Sequence, residues 1–570
     1  MSIPRNEHPN PQFKRENTVC LNGEWEFEFD FGNSRPSGEM AAKEAFERKI
    51  TVPFCPESEL SGIGYKDFIP AVWYRRKIEI SEAELGGNVF LHFGAVDYLT
   101  RVYVNGELAG VHEGGYTSFK FNITSLLKAG ENTVMVNAVD DTRSPLQATG
   151  KQSPELYSSG CLYTRTTGIW QTVWLEFTPE NYIESFRIYP DAANGAVTVS
   201  VNVHGAGELA INASYEGKPM GSFKKQARGE VSSEIKLAET YLWEVGNGRL
   251  YDLELTFGED KVSSYFGLRD LAIDGLKFLI NGKSVFQRLV LDQGFYPDGI
   301  YTAPTKEALK KDVELSMAAG FNGARLHEKV FEPLFLYYCD KAGYLAWGEY
   351  PNWGVDHSDP KVTDAYAREW TEALERDFNH PSIVGWCPFN ETWNYEGRNQ
   401  RNQLLETIYK ITKAYDKTRP CIDTSGNYHV ITDIYDTHDY EQRVDVFTER
   451  YDGFAEGGEL YDPVNAQRDV HYEGTPIFVS EYGGIRWSVA NTDKTAWGYG
   501  NDPKTPEEYI ERYRGLTNAL LKNEKMFGFC YTQLYDVEQE QNGIYTYERE
   551  EKFDPAIFKE INTAKAAIED

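Results

Sequence analysis

The chain has 570 residues, which at about 150 per domain implies three or four domains, fewer if one barrel takes about 250 of them, and excludes a single small module. Hydrophobic residues make up 41% and charged residues 26%, enough for several buried cores, so a disordered chain is excluded as well. The 58 basic and 88 acidic residues leave a net charge of −30, a field that repels phosphate backbones and anionic headgroups and argues against nucleic-acid and membrane-surface partners.

From the start to residue 178 the pattern has period two, as half-buried antiparallel strands require. Residues 24–31 alternate without a break. Residues 98–104 run into Asn105-Gly106, a dipeptide suited to a tight hairpin, and further strands are predicted around Phe119, Phe121 and Ile123 and around Val134, Val136 and Ala138. This reads as a jelly roll or sandwich. Residues 179–270 keep the same period, with Val197, Val199, Val201 and Val203 on one face and Tyr251, Leu253, Leu255 and Phe257 on another. About 90 residues of short strands suit an immunoglobulin-like β-sandwich, although the Cys…Trp…Cys core marker is missing.

From 271 to 570 short apolar runs alternate with helical stretches, the rhythm of a parallel sheet with crossover helices. Thr305 caps a predicted helix that runs to Ala319 and stops at Gly320, and another runs through Lys341 to Gly343. Strands are predicted at 288–292, 321–326, 344–350, 382–390, 421–424, 434–438, 477–480 and 527–534. Eight strands in roughly 300 residues is the size of a (β/α)₈ TIM barrel.

Several chemistries have no foothold. Gly282-Lys283-Ser284 lacks the first glycine of a phosphate loop, since Lys277 stands there, and the chain has no His-Glu-x-x-His, no Gly-x-Ser-x-Gly and no dinucleotide fingerprint. Seven scattered cysteines without a Cys-x-x-Cys pair read as free thiols. No run of 18 apolar residues occurs and the first residues lack a signal-peptide core, so a cytoplasmic protein is expected.

A barrel of this kind carries its active site at the C-terminal ends of its strands. The fourth predicted strand ends in Asn390-Glu391 and the seventh in Ser480-Glu481-Tyr482-Gly483. Two carboxylates on non-adjacent strands, both facing the axis, suit glycoside hydrolysis: one protonates the departing oxygen and the other meets the positive charge at the anomeric carbon. A lone glutamate at a strand end would more simply meet solvent or an arginine.

Asn390-Glu391 after a tryptophan-containing strand, with Ser480-Glu481-Tyr482-Gly483 beyond it, resembles glycoside hydrolase family 2, the family of β-galactosidase, β-glucuronidase and β-mannosidase. So do the stretch from Asp97 to Gly106, Gly168-Ile169-Trp170-Gln171, and Ile280-Asn281-Gly282-Lys283 at the start of the barrel. The resemblance implies a jelly-roll sugar-binding domain at 1–178, an immunoglobulin-like β-sandwich at 179–270 and a catalytic barrel at 271–570. It implies Glu391 as general acid/base and Glu481 as nucleophile of a retaining reaction. An acid of this type needs a raised pKa, which desolvation by Trp386 and Trp393 would supply.

The same resemblance implies a supporting set for sugar binding: Asn390; Arg325, ending the second strand and orienting the nucleophile; His327, one residue early against the family pattern; Glu349, ending the third strand; His438 and Tyr440 after the sixth, with Tyr440 bonded to the nucleophile; Trp487 as stacking platform; and Glu538 after the eighth. Arg325 and His327 could instead form a buried polar pair beneath the site. Carboxylates suffice for the chemistry, so no metal or other cofactor is required; a divalent cation near Glu349 is the one exception the family suggests. The Asn-x-Lys pair with which glucuronidases hold a carboxylate is replaced by Gln541-Asn542-Gly543, which favours a terminal neutral sugar, β-galactosidase-like, over a uronic acid. The alternatives are a furanosidase or arabinosidase on the same scaffold and a carbohydrate-binding protein without turnover. Sandwich faces also suit homo-oligomers.

Overall fold

The structure, a computed structural model, describes residues 3–464, 468–489 and 495–569. Two antiparallel sheets form the first sandwich. One has the order Thr18–Cys20, Val173–Thr178, Asn88–Phe93, Phe119–Asn122; the other runs Arg48–Val52, Gly23–Phe29, Ala71–Ile80, Gly130–Val139, Leu99–Val104, Glu107–Glu113. Period two is visible in burial: Trp25 and Phe27 face the core beside Val102, Val104, Val134 and Val136. The hairpin at Asn105-Gly106 has both residues at positive φ, 52° and 87°, which keeps the twist of its two strands continuous.

The second domain is a single five-stranded antiparallel sheet folded over on itself. Its two long strands, Ala196–Tyr215 and Lys218–Lys236, slip register between Val203 and Ala206. Before that shift the first of them pairs with Tyr182–Asp191, after it with Tyr251–Phe257, so one strand serves both layers of the sandwich. Val197, Val199, Val201, Leu253, Leu255 and Phe257 fill the space between.

The third domain is a parallel barrel. Counting from its start, the strands are the first, Gln287–Asp292; second, Gly323–Leu326; third, Leu345–Glu349; fourth, Ile383–Cys387; sixth, Tyr435–Asp439; seventh, Ile477–Gly483; and eighth, Met526–Thr532. They form one seven-stranded sheet in the order four, three, two, one, eight, seven, six. The expected fifth strand is present only as an irregular segment, joined to the fourth by isolated parallel bridges at Trp386/Cys421 and Asn390/Ser425. Carboxylates explain the irregularity: Asp433 accepts from the Cys421 N–H (2.9 Å), and Asp423 accepts from the N–H groups of Val430 (2.6 Å) and Ile431 (2.9 Å). Side chains thereby take backbone donors in this segment and in the turn that follows it.

Helices Lys306–Ala318 and Pro333–Ala342 end where glycine permits the left-handed conformation, Gly320 at φ 84° and Gly343 at φ 68°, and the Thr305 hydroxyl caps the first of them. Inside the barrel the Trp347 indole lies where a side chain on the fourth strand would stand; a Cβ at Gly385 would fall 2.3 Å from its ring. Among the described residues no helix is long and apolar enough to cross a membrane.

The first fifteen residues do not serve the first sandwich alone. Arg5 donates to Glu332 of the barrel (2.7 Å), Lys14 pairs with Ser263 of the second domain, and Arg15 bridges Asp260 of the second domain (2.8 Å) and Glu176 of the first (3.0 Å). All three side chains of that last cluster are buried. Removing one partner of a buried ion pair costs about 3–5 kcal/mol because the other charges stay desolvated and unpaired. Arg15→Met should therefore lower the first thermal unfolding transition by several degrees in calorimetry. An unchanged midpoint would mean that Arg15 does not join the two sandwiches.

Candidate active site

Arg325 connects the strands at the barrel mouth. Strand alternation turns it inward, where it is 1% exposed. Its Nε donates to Glu349 (2.6 Å); one terminal nitrogen donates to the Ser480 carbonyl (2.9 Å) and to Glu481 (3.0 Å), the other to the Asn390 side-chain oxygen (2.9 Å). Burial opposes the guanidinium charge, but Glu349 and Glu481 outweigh it and hold Arg325 firmly protonated.

Glu349 also accepts from the Glu328 N–H (3.3 Å) and shares a hydrogen bond with His327 Nδ1 (3.1 Å). Burial pushes its pKa up, against the pull of Arg325. Burial also drives His327 well below its ordinary range, with Lys151 adding to the effect, so the imidazole is neutral. Arg325 and His327 are thus joined through Glu349 rather than to each other, in a buried cluster that includes the candidate nucleophile. Both Glu349 oxygens are committed to these donors, so a divalent cation there would have to displace Arg325 or His327.

Glu391 follows the fourth strand with its backbone at φ 44°. That conformation costs an L-residue about 1–2 kcal/mol and is held by neighbours. Its N–H donates to the Ser425 carbonyl (2.9 Å) of the irregular fifth segment. The preceding Asn390 N–H donates to Asn352 (2.6 Å), while the Asn390 carbonyl accepts from Asn352 (2.9 Å) and from the Trp353 indole (3.1 Å). The Glu391 carboxylate meets His438 Nδ1 at 2.7 Å and the Trp393 indole N–H at 3.2 Å.

The expectation of a raised pKa at Glu391 is corrected. Burial pushes it up, but the hydrogen bond and charge of His438 more than offset this and the net shift is downward. Alternation turns Trp386 outward, where its indole donates to Asp416 (2.8 Å) and its ring meets Trp370 edge-on. Trp393 is 52% exposed and acts on Glu391 as a hydrogen-bond donor.

His438 stands between the two glutamates: Nδ1 faces Glu391, and Nε2 lies 3.4 Å from Glu481 and 3.1 Å from the Ser425 hydroxyl. Burial disfavours its charge, yet the two carboxylates raise its pKa above the ordinary value. One ligand atom from each of Glu391, His438 and Glu481 lies within 4.8 Å of the other two. The same donors could grip a divalent ion, though it would displace the bonds that Arg325 and His438 make to Glu481 and Glu391. The second Glu481 oxygen accepts from the Tyr440 hydroxyl, and the Tyr440 ring stacks on Tyr499 with centroids 3.5 Å apart.

Eight of the ten residues singled out from the sequence thus meet in one network: Glu391, Glu481, Asn390, Arg325, His327, Glu349, His438 and Tyr440. Two do not. Trp487 packs on Tyr509 and Phe553 in the barrel wall, because its backbone is held by Gln541 and Lys552. Glu538 is drawn to the first domain, where its carboxylate accepts from the Thr164 N–H (3.1 Å). The aromatic faces at the mouth are instead Trp353 and Trp393, which with Glu391 line a cleft of about 310 Å³ between barrel loops and the first-domain loop. Sequence reasoning missed Asn352, Ser425 and Lys151. Asn352 sits three residues beyond Glu349 and was within reach of a strand-end argument; Lys151 comes from another domain and carried no such signal.

Comparison with known proteins gives three consecutive matches: "Glycosyl hydrolases family 2, sugar binding domain" at residues 60–179, "Glycosyl hydrolases family 2" at 181–269, and "Glycosyl hydrolases family 2, TIM barrel domain" at 271–488. A putative β-glucuronidase of Formosa agariphila is 26% identical over 75% of this chain and 52% of its own length. A β-galactosidase of Thermoanaerobacter pseudethanolicus is 27% identical over 67% of this chain and 51% of its own. The chain thus spans about half the length of these two curated relatives. Rat β-glucuronidase is 26% identical over 88% of this chain and 81% of its own length. Among solved structures, Bifidobacterium dentium β-glucuronidase complexed with coumarin-3-O-glucuronide has the same fold, with a TM-score of 0.81 at 20% identity over 97% of this chain and 98% of that one.

The hydrogen-bond network makes one stability statement that does not depend on any reaction. Arg325→Met strands Glu349 and Glu481 in a low-dielectric site and should cost about 3–5 kcal/mol, read as a lower thermal midpoint. Adding Glu349→Gln to that variant should recover part of the loss. If the double variant melts no higher than the single one, the unpaired carboxylate is not what destabilises it.

Proposed function

The chain belongs to glycoside hydrolase family 2, and from that membership we propose that its barrel removes a terminal β-linked sugar from its aglycone with retention of configuration. The observation that carries this reading is the approach of the Glu391 and Glu481 oxygens within 4.8 Å, with His438 between them. Retaining enzymes hold their carboxyl groups about 5 Å apart, whereas inverting ones leave roughly 6.5–9.5 Å for a water. Glu481, steadied by Arg325 and Tyr440, attacks the anomeric carbon and forms a glycosyl-enzyme. Glu391 gives its proton to the leaving oxygen and then takes one from the water that releases the sugar. The Asn390 amide nitrogen is buried with no partner among the described residues and is free to donate to a sugar hydroxyl.

A neutral, β-galactosidase-like sugar is the finer part of the proposal. The loop after the eighth strand supports it: Gln541-Asn542-Gly543 stands in place of the Asn-x-Lys of this family's glucuronidases, and the Asn542 amide donates to Glu540 (3.0 Å). Both β-galactosidases and β-glucuronidases occur among the named relatives, so the substrate assay must include uronides beside the neutral sugars.

Glu481→Ala should lower kcat on aryl β-glycosides by on the order of 10⁴ or more, because the covalent step is lost. Glu391→Gln should lose far less on a dinitrophenyl glycoside, whose leaving group needs no proton, than on a poor leaving group. Wild-type turnover in Glu481→Ala would end the reading, and sugar binding without turnover in the wild type would replace it with a carbohydrate-binding protein.

His438 sets the pH dependence. It lowers the pKa of Glu391, and a general acid works in its protonated form, so the alkaline limb of kcat/KM follows this pKa. His438→Gln removes the cation, raises the Glu391 pKa and should move the alkaline limb to higher pH. Movement to lower pH would contradict the assignment of Glu391 as the acid.

A further inference from the structure

Lys151 belongs to the first domain, in the stretch between Val139 and Gly168 that forms no strand, yet it is only 5% exposed. Its segment is fastened to the barrel. The Thr149 N–H (2.8 Å), the Thr149 hydroxyl (3.1 Å) and the Gly150 N–H (3.2 Å) all donate to the Trp353 carbonyl. Gly150, at φ 55°, runs so close to the barrel that a Cβ there would fall 2.4 Å from the Glu328 carbonyl. The Lys151 ammonium lies 3.8 Å from the centre of the Trp353 ring. Among the described residues no hydrogen bond or ion pair engages it.

The Trp353 ring under the ammonium places it at the barrel mouth, since that indole donates to the Asn390 carbonyl (3.1 Å) and the Trp353 N–H to Glu328 (3.0 Å). Burial works against its charge, and Cys161, Glu540, Glu481 and Glu328 restore it. The same ammonium stabilises the charged form of Glu391 and disfavours that of His327. Groups after the second, fourth, seventh and eighth strands all feel one cation carried in from another domain. Its charge rests on the Trp353 face while its N–H donors are left for a ligand.

We infer that Lys151 is a substrate contact contributed by the first domain, its ammonium donating to a hydroxyl of the terminal sugar held between Glu391 and Glu481. This rests on the glycosidase reading above. A hydroxyl fits better than a carboxylate because the site is already built around the Glu391 and Glu481 carboxylates, to which an anion would add repulsion, whereas a hydroxyl accepts from Lys151 and can in turn donate to a carboxylate.

Lys151→Met keeps the stem over Trp353 and removes the donor. On the best neutral aryl β-glycoside its kcat/KM should fall about 10- to 100-fold, the range for losing one charged hydrogen bond, with a thermal midpoint matching the wild type. Lys151→Gln, which retains a neutral donor, should fall between the two and serves where the Met variant folds poorly. The decisive comparison uses the monodeoxy aryl glycosides. At one ring position the wild type and Lys151→Met should cleave the deoxy substrate equally well, while at the others the full difference remains.

An equal loss on every deoxy substrate, or no loss on the parent, would overturn the contact. A loss confined to an aryl β-glucuronide, absent with the matching neutral glycoside, would show Lys151 holding a carboxylate and overturn the hydroxyl assignment. Glu481→Ala measured in parallel keeps the two levels apart: if it turns over as fast as the wild type, the glycosidase reading has failed rather than the Lys151 contact alone.

Discussion

A guanidinium removed from water must be matched by carboxylates at hydrogen-bond distance, and Arg325 imposes that requirement on the whole barrel mouth. Its partners come from the third, fourth and seventh strands, so the bonds form only if all of these strands are in one register. Alternation makes the requirement strict: a slip of one residue would turn Arg325 or Glu349 outward, against the helices. The observed pairing, Arg325 opposite Leu291 on one side and Trp347 on the other, puts Trp347 and Glu349 on the inner face together, with Gly385 giving the indole its room. Packing beneath the mouth and charge pairing within it thus specify the same register.

The paired carboxylates differ in what they touch, and this divides their chemistry. Glu481 accepts from a guanidinium and a phenol, donors that aim it. Glu391 touches an imidazole and an indole. Glu391 is pulled down and His438 pushed up across the 2.7 Å hydrogen bond they share. Two groups coupled this closely titrate as a pair, and the acid's proton is a property of both. In the proposed reaction the leaving oxygen takes the proton from Glu391, and His438 stays hydrogen-bonded to the carboxylate that remains.

Much of this was legible in the sequence, and the divisions are physical. Periodicity separated sandwiches from barrel because strand and helix periods differ for as long as an element lasts, and Gly320 and Gly343 marked helix ends because left-handed backbone favours glycine. Polar residues ending apolar runs pointed to Glu391 and Glu481, and the family resemblance added Arg325 and Glu349. Where several groups act on one, sequence was silent: whether Glu391 is raised or lowered depends on burial against a histidine that reaches it only through folding. Trp487 failed for a related reason. An aromatic residue near a strand end can face the mouth or the wall, and here Tyr509 and Phe553 hold it in the wall.

The first sandwich is part of the site rather than an appendage to it. Cys55, Tyr116, Tyr163 and Trp170 lie in the same apolar cluster as the barrel interior. The Tyr116 N–H donates to Glu369 (2.7 Å), His112 pairs with Glu372 (3.0 Å), and Tyr163 donates to Glu540 beside the mouth. Domains joined by polar, wet contacts usually move independently; a shared core with buried hydrogen bonds ties these two together. The loop that carries Lys151 is fastened by Trp353, whose indole and backbone N–H also reach Asn390 and Glu328. One tryptophan therefore joins the first domain, the fourth-strand end and the second-strand loop. Closing the mouth with another domain strengthens every charge interaction inside it.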